Sequence, residues 1–340
     1  MARVRTNQVV VPISIDPMDA IVQRIRAGSV VPIIGGSLAH DLVLGGHDEI
    51  DDAYAVYCRN QGFELASNSL AEMLQFRGVA DENLPDLRYL KEDYVNFIKN
   101  RLVDMAEAAA VDSEAMDEID ANFESLSLSQ VCDTLGFPSF DERSNPYVLL
   151  AALNLPIYIT TSSHGLLEMA LQRAGREPQT EICRWRPGLE TQLPPILGGD
   201  YEPSREKPLV YHLFGYDEDP ASLVLTEDDH LNFLVAVSEN LGNDHDPVHK
   251  RVRLALAESS LLLLGYSLRD WETRILFRGL IVPRTRLIAD DPATGVVNIQ
   301  LRPGILEENY LNRYLDRFSL DVSWRDVAEY LADLYSRVDA

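Results

Sequence analysis

The residues able to do chemistry fall in four short stretches far apart in the chain: residues 29–40 (SVVPIIGGSLAH), 157–168 (IYITTSSHGLLE), 210–229 (VYHLFGYDEDPASLVLTEDD) and 261–271 (LLLLGYSLRDW). Three of them contain an apolar run of strand type that stops at Gly, Thr or Ser and passes into a helical pattern. In a doubly wound α/β sheet, ligands sit at the carboxyl ends of strands. Small polar residues there predict a nucleotide site, with a dinucleotide as the expected ligand. His164 stands at such an end, where an imidazole titrates near neutral pH and can act as a base. A dehydrogenase is disfavoured, because the first turn lacks Gly-x-Gly-x-x-Gly and no hydride-transfer constellation is visible.

The elements that must position these residues alternate. Asp16 as N-cap and Pro17 in the first turn open a helix with apolar positions at Met18, Ile21, Val22 and Ile25, and Gly28 ends it. Residues 30–34 read as a strand leading into Gly35, Gly36 and Ser37, and Leu38, Leu42 and Val43 suggest a helix beyond. Residues 67–135 are helical in pattern and rich in Ala, Glu, Asp and Leu, which predicts an inserted helical layer. Strands are then expected at 155–159, 209–213, 261–264, 295–301 and 320–322. Helices are expected at 166–174, 227–239, 247–259 and 271–279, with a Pro- and Gly-rich connection at 187–206. The expected architecture is α/β, a Rossmann-like, mostly parallel sheet forming one unit over residues 1–340 with the insertion inside it. Thr226, Glu227, Asp228 and Asp229 read as a helix N-terminus, where acidic residues suit the dipole, and not as a metal site.

Composition sets the outer bounds. The chain has 340 residues, 46% hydrophobic and 8% aromatic, a normal supply of globular core. Cys58, Cys132 and Cys183 are isolated, so free buried thiols are expected and a zinc module is not. No run approaches the ~18 apolar residues of a membrane span, which makes a cytoplasmic protein the expectation. A formal net charge of −24 repels nucleic-acid phosphates and disfavours direct DNA or RNA binding. An anionic cofactor can still bind, because backbone amides at a helix N-terminus supply local positive potential.

Taken in order, the motifs carry a resemblance. A Gly turn after an early strand is followed by Thr160-Thr161 ahead of Leu166-Leu167-Glu168. Then come a His-x-x-Gly with Ser-Leu-Val-Leu-Thr-Glu-Asp-Asp and a late Leu-Gly-Tyr-Ser-Leu-x-Asp-Trp. From about residue 30 to 334 this resembles the bacterial SIR2-like family, sirtuin relatives that in many cases degrade NAD in antiphage defence. The missing zinc cysteines argue against a protein deacylase. The resemblance implies NAD as substrate or ligand, no metal, a homo-oligomer and a defence-system partner protein.

Carried over residue by residue, the family's glycine turn falls on Gly35, Gly36 and Ser37, where backbone comes close to the pyrophosphate. Thr160 and Thr161 match the second motif, but Ser162 stands where active members carry an asparagine, and His164 where they carry an aspartate. The family's Leu-His-Gly is Leu213-Phe214-Gly215 here, so the usual base is a phenylalanine. His212 lies two residues earlier, which on a strand places it on the same face as Phe214 but about 7 Å further from the strand end. His164, Ser162 and His212 are therefore the candidates for catalysis. Gly215, Gly265 and Ser267 join the cofactor candidates, with Asn298, or Gln300 beside it, toward the adenosine ribose. Asp270 reads equally as a helix N-cap. Two functions remain open: an NAD+ hydrolase releasing nicotinamide and ADP-ribose, and a degenerate module that binds NAD or ADP-ribose as a sensor or assembly subunit.

Overall fold

Among the described residues, seven strands run in one direction through a single sheet, so each of them ends on the same edge. The computed structural model describes residues 17–36, 38, 42, 47–63, 69–80, 87–109, 113–136, 139–140, 145–186, 189, 194–266, 275–281, 297–301 and 320–339. The strands are β1 (Val30–Ile34), β2 (Ile157–Thr160), β3 (Gln179–Ile182), β4 (Leu209–His212), β5 (Ser260–Tyr266), β6 (Val297–Leu301) and β7 (Leu320–Trp324). Their order is β3-β4-β2-β1-β5-β6-β7. The described helices are α1 (Pro17–Arg26), α2 (His47–Asn60), α3 (Leu70–Ala80), α4 (Leu87–Ala108), α5 (Ser113–Asn122), α6 (Leu128–Leu135), α7 (Pro146–Ala152), α8 (Leu166–Arg173), α9 (Glu227–Glu239), α10 (Lys250–Glu258) and α11 (Val327–Asp339). This is the Rossmann-like α/β fold that the sequence predicts.

Strand periodicity divides the core in two. Val30, Ile34, Tyr158, Val210, Leu262 and Leu264 face one way, while Val31, Ile33, Ile159, Tyr211, Leu261 and Leu263 face the other. Both faces are covered, which is why β1 and β5 are almost continuously apolar. Helices α3 to α6 come from the stretch between β1 and β2. They bury Met73, Leu74, Leu90, Phe97, Leu102, Leu128 and Val131 in the first of these cores. Lys91 of α4 ties this layer to the sheet: it is 1% exposed, lies 2.8 Å from Asp229 and donates to the carbonyl of Leu223. Asp229 also closes a capping box with Thr226, so the acidic run starts α9 as expected.

Several boundaries differ from the sequence reading. β2 begins at Ile157 and β4 stops at His212, so Leu155 and Leu213 lie outside the strands. β5 is longer than its apolar run at both ends. β3 was not expected at all: it is four mostly polar residues, Gln-Thr-Glu-Ile, at the sheet edge, too short and too polar to show a strand period. Asp16 and Val43 lie outside the described residues, as do 271–274 and 295–296, and the described part of the helix expected at 271–279 is helical, with a π-helical turn at Phe277–Ile281. Among the described residues, no helix is long and apolar enough to cross a membrane.

Candidate functional site

The parallel register brings the motif turns to one edge, with Ile34 opposite both Thr160 and Leu264, and Thr160 opposite His212. Gly35 and Gly36 follow β1 and are buried. The Gly35 amide donates to the Leu264 carbonyl at 2.8 Å, and a Cβ on Gly35 would stand 2.3 Å from the carbonyl oxygen of Gly265. The need for glycine here is thus met by the close approach of β1 to β5. Gly265 itself has φ +70°, a left-handed backbone within the strand that β6 meets with a register shift. Gly35→Ala is expected to cost about 1–3 kcal/mol by overpacking, seen as a lower urea midpoint. An unchanged midpoint would show that β5 can move aside. Loss of NAD binding on substituting Gly35 would therefore report on the sheet before it reported on a phosphate contact.

Thr160 and Thr161 are buried and serve the same joint. Both hydroxyls donate to the Ile34 carbonyl at 3.3 Å, the Thr161 amide donates to it at 2.9 Å, and Thr160 Oγ1 accepts from the Ser162 amide at 2.9 Å. These contacts hold the β2 turn in shape and present Ser162, Ser163 and His164 beyond the sheet.

His212 ends β4 and is 0% exposed. Its Nδ1 donates to the Ser162 carbonyl at 2.8 Å, and its Nε2 lies 2.7 Å from Glu168 Oε1 on α8. Thr180 of β3 donates to the same carboxylate oxygen at 2.9 Å. Burial alone would lower the imidazole pKa, but the charge and hydrogen bond of Glu168 raise it. Burial would raise the Glu168 pKa, but His212 lowers it. The pair is an imidazolium–carboxylate bridge, and an imidazolium with both N–H groups engaged has no lone pair for a proton. His164 differs: burial, with the charge of His212 nearby, depresses its pKa to about 4, so it is neutral at pH 7. Its Nδ1 is buried without a partner, and its ring meets Tyr147 edge-on at 6.3 Å.

The expectation that His212 and Phe214 share a face is corrected. The strand stops at His212, the chain turns, and Phe214 joins the opposite core, edge-on to Phe233 at 5.0 Å and to His230 at 5.8 Å. Gly215 makes the turn with φ +87°, and a Cβ there would lie 2.4 Å from the backbone of Ser222. Tyr216 then comes back over His212, with ring centroids 4.7 Å apart.

Asp217 follows. It is 6% exposed, its amide donates to the Ser163 carbonyl at 2.7 Å, and its Oδ2 accepts from the Leu128 amide at the start of α6 at 2.9 Å. Burial pushes its pKa up to about 7, against the opposing effect of the Leu128 hydrogen bond. Its Oδ1 has no partner. Neither do His164 Nδ1 and Glu168 Oε2, both buried, while Ser162 Oγ and Tyr147 OH, also buried, have only each other within reach. Three unsatisfied polar atoms and a loosely paired Tyr147–Ser162 couple therefore gather around the ends of β2 and β4, where buried groups are ordinarily hydrogen-bonded. Open clefts of about 450 and 700 Å³ lie against this group, the first lined by Glu168, Tyr216 and Glu218 and the second by Lys99, Asp217 and Glu218.

Of the remaining sequence candidates, Ser37 and Ser267 lie outside the described residues, as does Asp270. Asn298 is in β6, its Cα opposite Leu262 and Asp321, and Gln300 follows it opposite Ser323. Asp217 and Tyr147 were not among the sequence candidates. Asp217 sits in an acidic run, Asp217-Glu218-Asp219, that reads as a solvated loop, and Tyr147 lies on α7, far from every motif. Glu168 was visible only as part of Leu-Leu-Glu.

Cys58, Cys132 and Cys183 are free and buried, and among the described residues no group of three or more His, Cys, Asp or Glu could hold a metal ion. No curated protein matches the sequence. Residues 156–293, which span the β2 turn, the His212–Glu168 bridge, Asp217 and all of β5, match the family model of the SIR2-like domain, and this match supports the SIR2-like family for the chain.

Proposed function

We propose that the protein acts on NAD+, cleaving the bond between nicotinamide and ribose to release ADP-ribose, as a cytoplasmic homo-oligomer working beside a partner protein in antiphage defence. The SIR2-like match supports NAD as the ligand. The observation that carries the reading is the cluster of buried, unsatisfied polar atoms at the ends of β2 and β4. Each such group costs about 1–3 kcal/mol when left alone, so the cluster suits a polar occupant such as ribose hydroxyls and a water. Cleavage builds positive charge on the ribose as neutral nicotinamide leaves. Ser162 Oγ and His164 Nδ1 are the hydrogen-bonding atoms of the β2 turn that can face that ribose. The His212–Glu168 bridge fixes the turn from below, through the Ser162 carbonyl.

A second reading rests on the other half of the same geometry. Phe214 occupies the usual base position and points into the core, and His212 is fully engaged. This favours a module that binds NAD or ADP-ribose as a sensor or assembly subunit. Purified protein incubated with NAD, alone and with phage extract, is expected to release nicotinamide and ADP-ribose. The rate should be about 10²–10⁴ below that of a full acid–base site if only a displaced base remains. Turnover lost in His164→Ala with calorimetric NAD binding retained supports the hydrolase. Binding with no release under either condition supports the sensor, and absence of both overturns the NAD reading.

A further inference from the structure

The turn after β4 places one carboxylate between a water-sized cavity and a wider open cleft. A cavity of about 10 Å³, enough for one water, is lined by Ser163, His164 and Asp217 on its polar side and by Tyr94, Ile98 and Leu128 on its apolar side. Two polar atoms of this lining have no partner, His164 Nδ1 and Asp217 Oδ1. On its other side Asp217 lines the cleft of about 700 Å³ together with Lys99, Glu124 and Glu218. Its position is fixed from two elements, by the Ser163 carbonyl at its amide and the Leu128 amide at its Oδ2, which leaves Oδ1 as the free atom.

We propose that Asp217 is the proton acceptor of the site, taking a proton from the attacking water and passing it to solvent through the cleft beside α4. The proposal rests on the hydrolase reading above. The water oxygen bonds to C1 of the nicotinamide ribose as the C1–N bond breaks. That bond's electron pair neutralises the pyridinium nitrogen, and the water's proton goes to Asp217 Oδ1. NAD+ and water thereby become ADP-ribose, nicotinamide and a proton, with nothing further consumed. His164, neutral and without a proton partner at Nδ1, is the second polar group of the cavity and orients the water.

The groups that set the charge of Asp217 come from every side. His212 and Glu168 lie across the strand end and Glu218 is its chain neighbour. Lys99 faces it from α4, Cys132 from α6, and Tyr216 precedes it. With the carboxyl pushed up to about 7, the rate should rise with pH and reach half its plateau near there.

The test is nicotinamide release from NAD by the full chain over a range of pH, beside calorimetric NAD binding. Asp217→Asn is expected to lower kcat by about 10²–10⁴ and to flatten the pH rise, with NAD affinity held within about threefold. Asp217→Ala opens space for a small carboxylate, and formate, unlike chloride, should restore part of its rate. A folded Asp217→Asn that keeps the wild-type rate and pH profile overturns the role of Asp217 while leaving the hydrolase standing. Wild-type protein that binds NAD and releases no nicotinamide overturns both. If the Asn variant fails to fold, rescue of the Ala variant by formate decides, and its absence counts against the proposal.

Discussion

Glu168→Leu is expected to lower the unfolding free energy by about 3–5 kcal/mol at pH 7, because it removes one partner of a fully buried charge pair and leaves the other. The Nε2 of His212, a residue that is 0% exposed, then has no partner, and the ring can avoid an unpaired charge only by giving up a proton. His212→Leu is expected to cost a similar amount from the other side. The double replacement should cost less than the sum, since two apolar residues leave no orphaned charge, and a double-mutant cycle measures the difference.

The pH dependence of the pair has two signs. The folded pKa of His212 is raised, so its contribution is full below the unfolded value of 6.5 and is lost as pH rises through the folded one. The folded pKa of Glu168 is lowered, so its contribution is full above the unfolded value of 4.5 and is lost as pH falls through the folded one. The bridge is therefore strongest between about 4.5 and 6.5, with loss on both flanks, and Glu168→Leu should flatten both. Additive single and double variants, or a cost under about 1 kcal/mol, would mean that solvent reaches the pair.

The parts of this molecule that were legible in the sequence are those where one physical demand dominates. β1 and β5 are buried on both faces and must be apolar throughout, so Val30 to Ile34 and Leu261 to Leu264 stood out. Thr226 and Asp229 announce α9 because a helix start needs those side chains at that spacing. β3 answers to no such demand: it is an edge strand whose Glu181 serves as an acceptor for Arg184 and the Ile196 amide.

The site was half legible for a related reason. Strand ends mark where it lies, so the β2 turn and His212 could be found. Which way each side chain points depends on the residue at which a strand stops, and His212 and Phe214 separate because β4 ends between them. Burial of a charge is harder still to read. Nothing local distinguishes the buried Asp217 and Asp219 from the exposed Glu218 between them. Only the Leu128 amide of α6, 89 residues earlier in the chain, and the Ser163 carbonyl draw Asp217 inward.

Asp217→Asn is expected to stabilise the fold at pH 8, the opposite of its expected effect on turnover. Burial raises the folded pKa of this carboxyl from 3.8 to about 7, so between those values the folded protein holds a proton that the unfolded chain has released. Stability then falls as pH rises through that window and stays at its lower level above it. The full span corresponds to about 4 kcal/mol as an order of magnitude. Asparagine has nearly the same shape, can still accept from the Leu128 amide, and carries no charge to ionise. The two proteins should unfold at similar urea midpoints near pH 4, with the variant ahead by about 2–4 kcal/mol at pH 8. A gap that is constant with pH, or that widens toward acid, would mean that Asp217 ionises normally in the folded protein. A gap that opens with pH while turnover is lost would show a group held at a cost to stability, as is common where a fold keeps an ionisable residue for its chemistry.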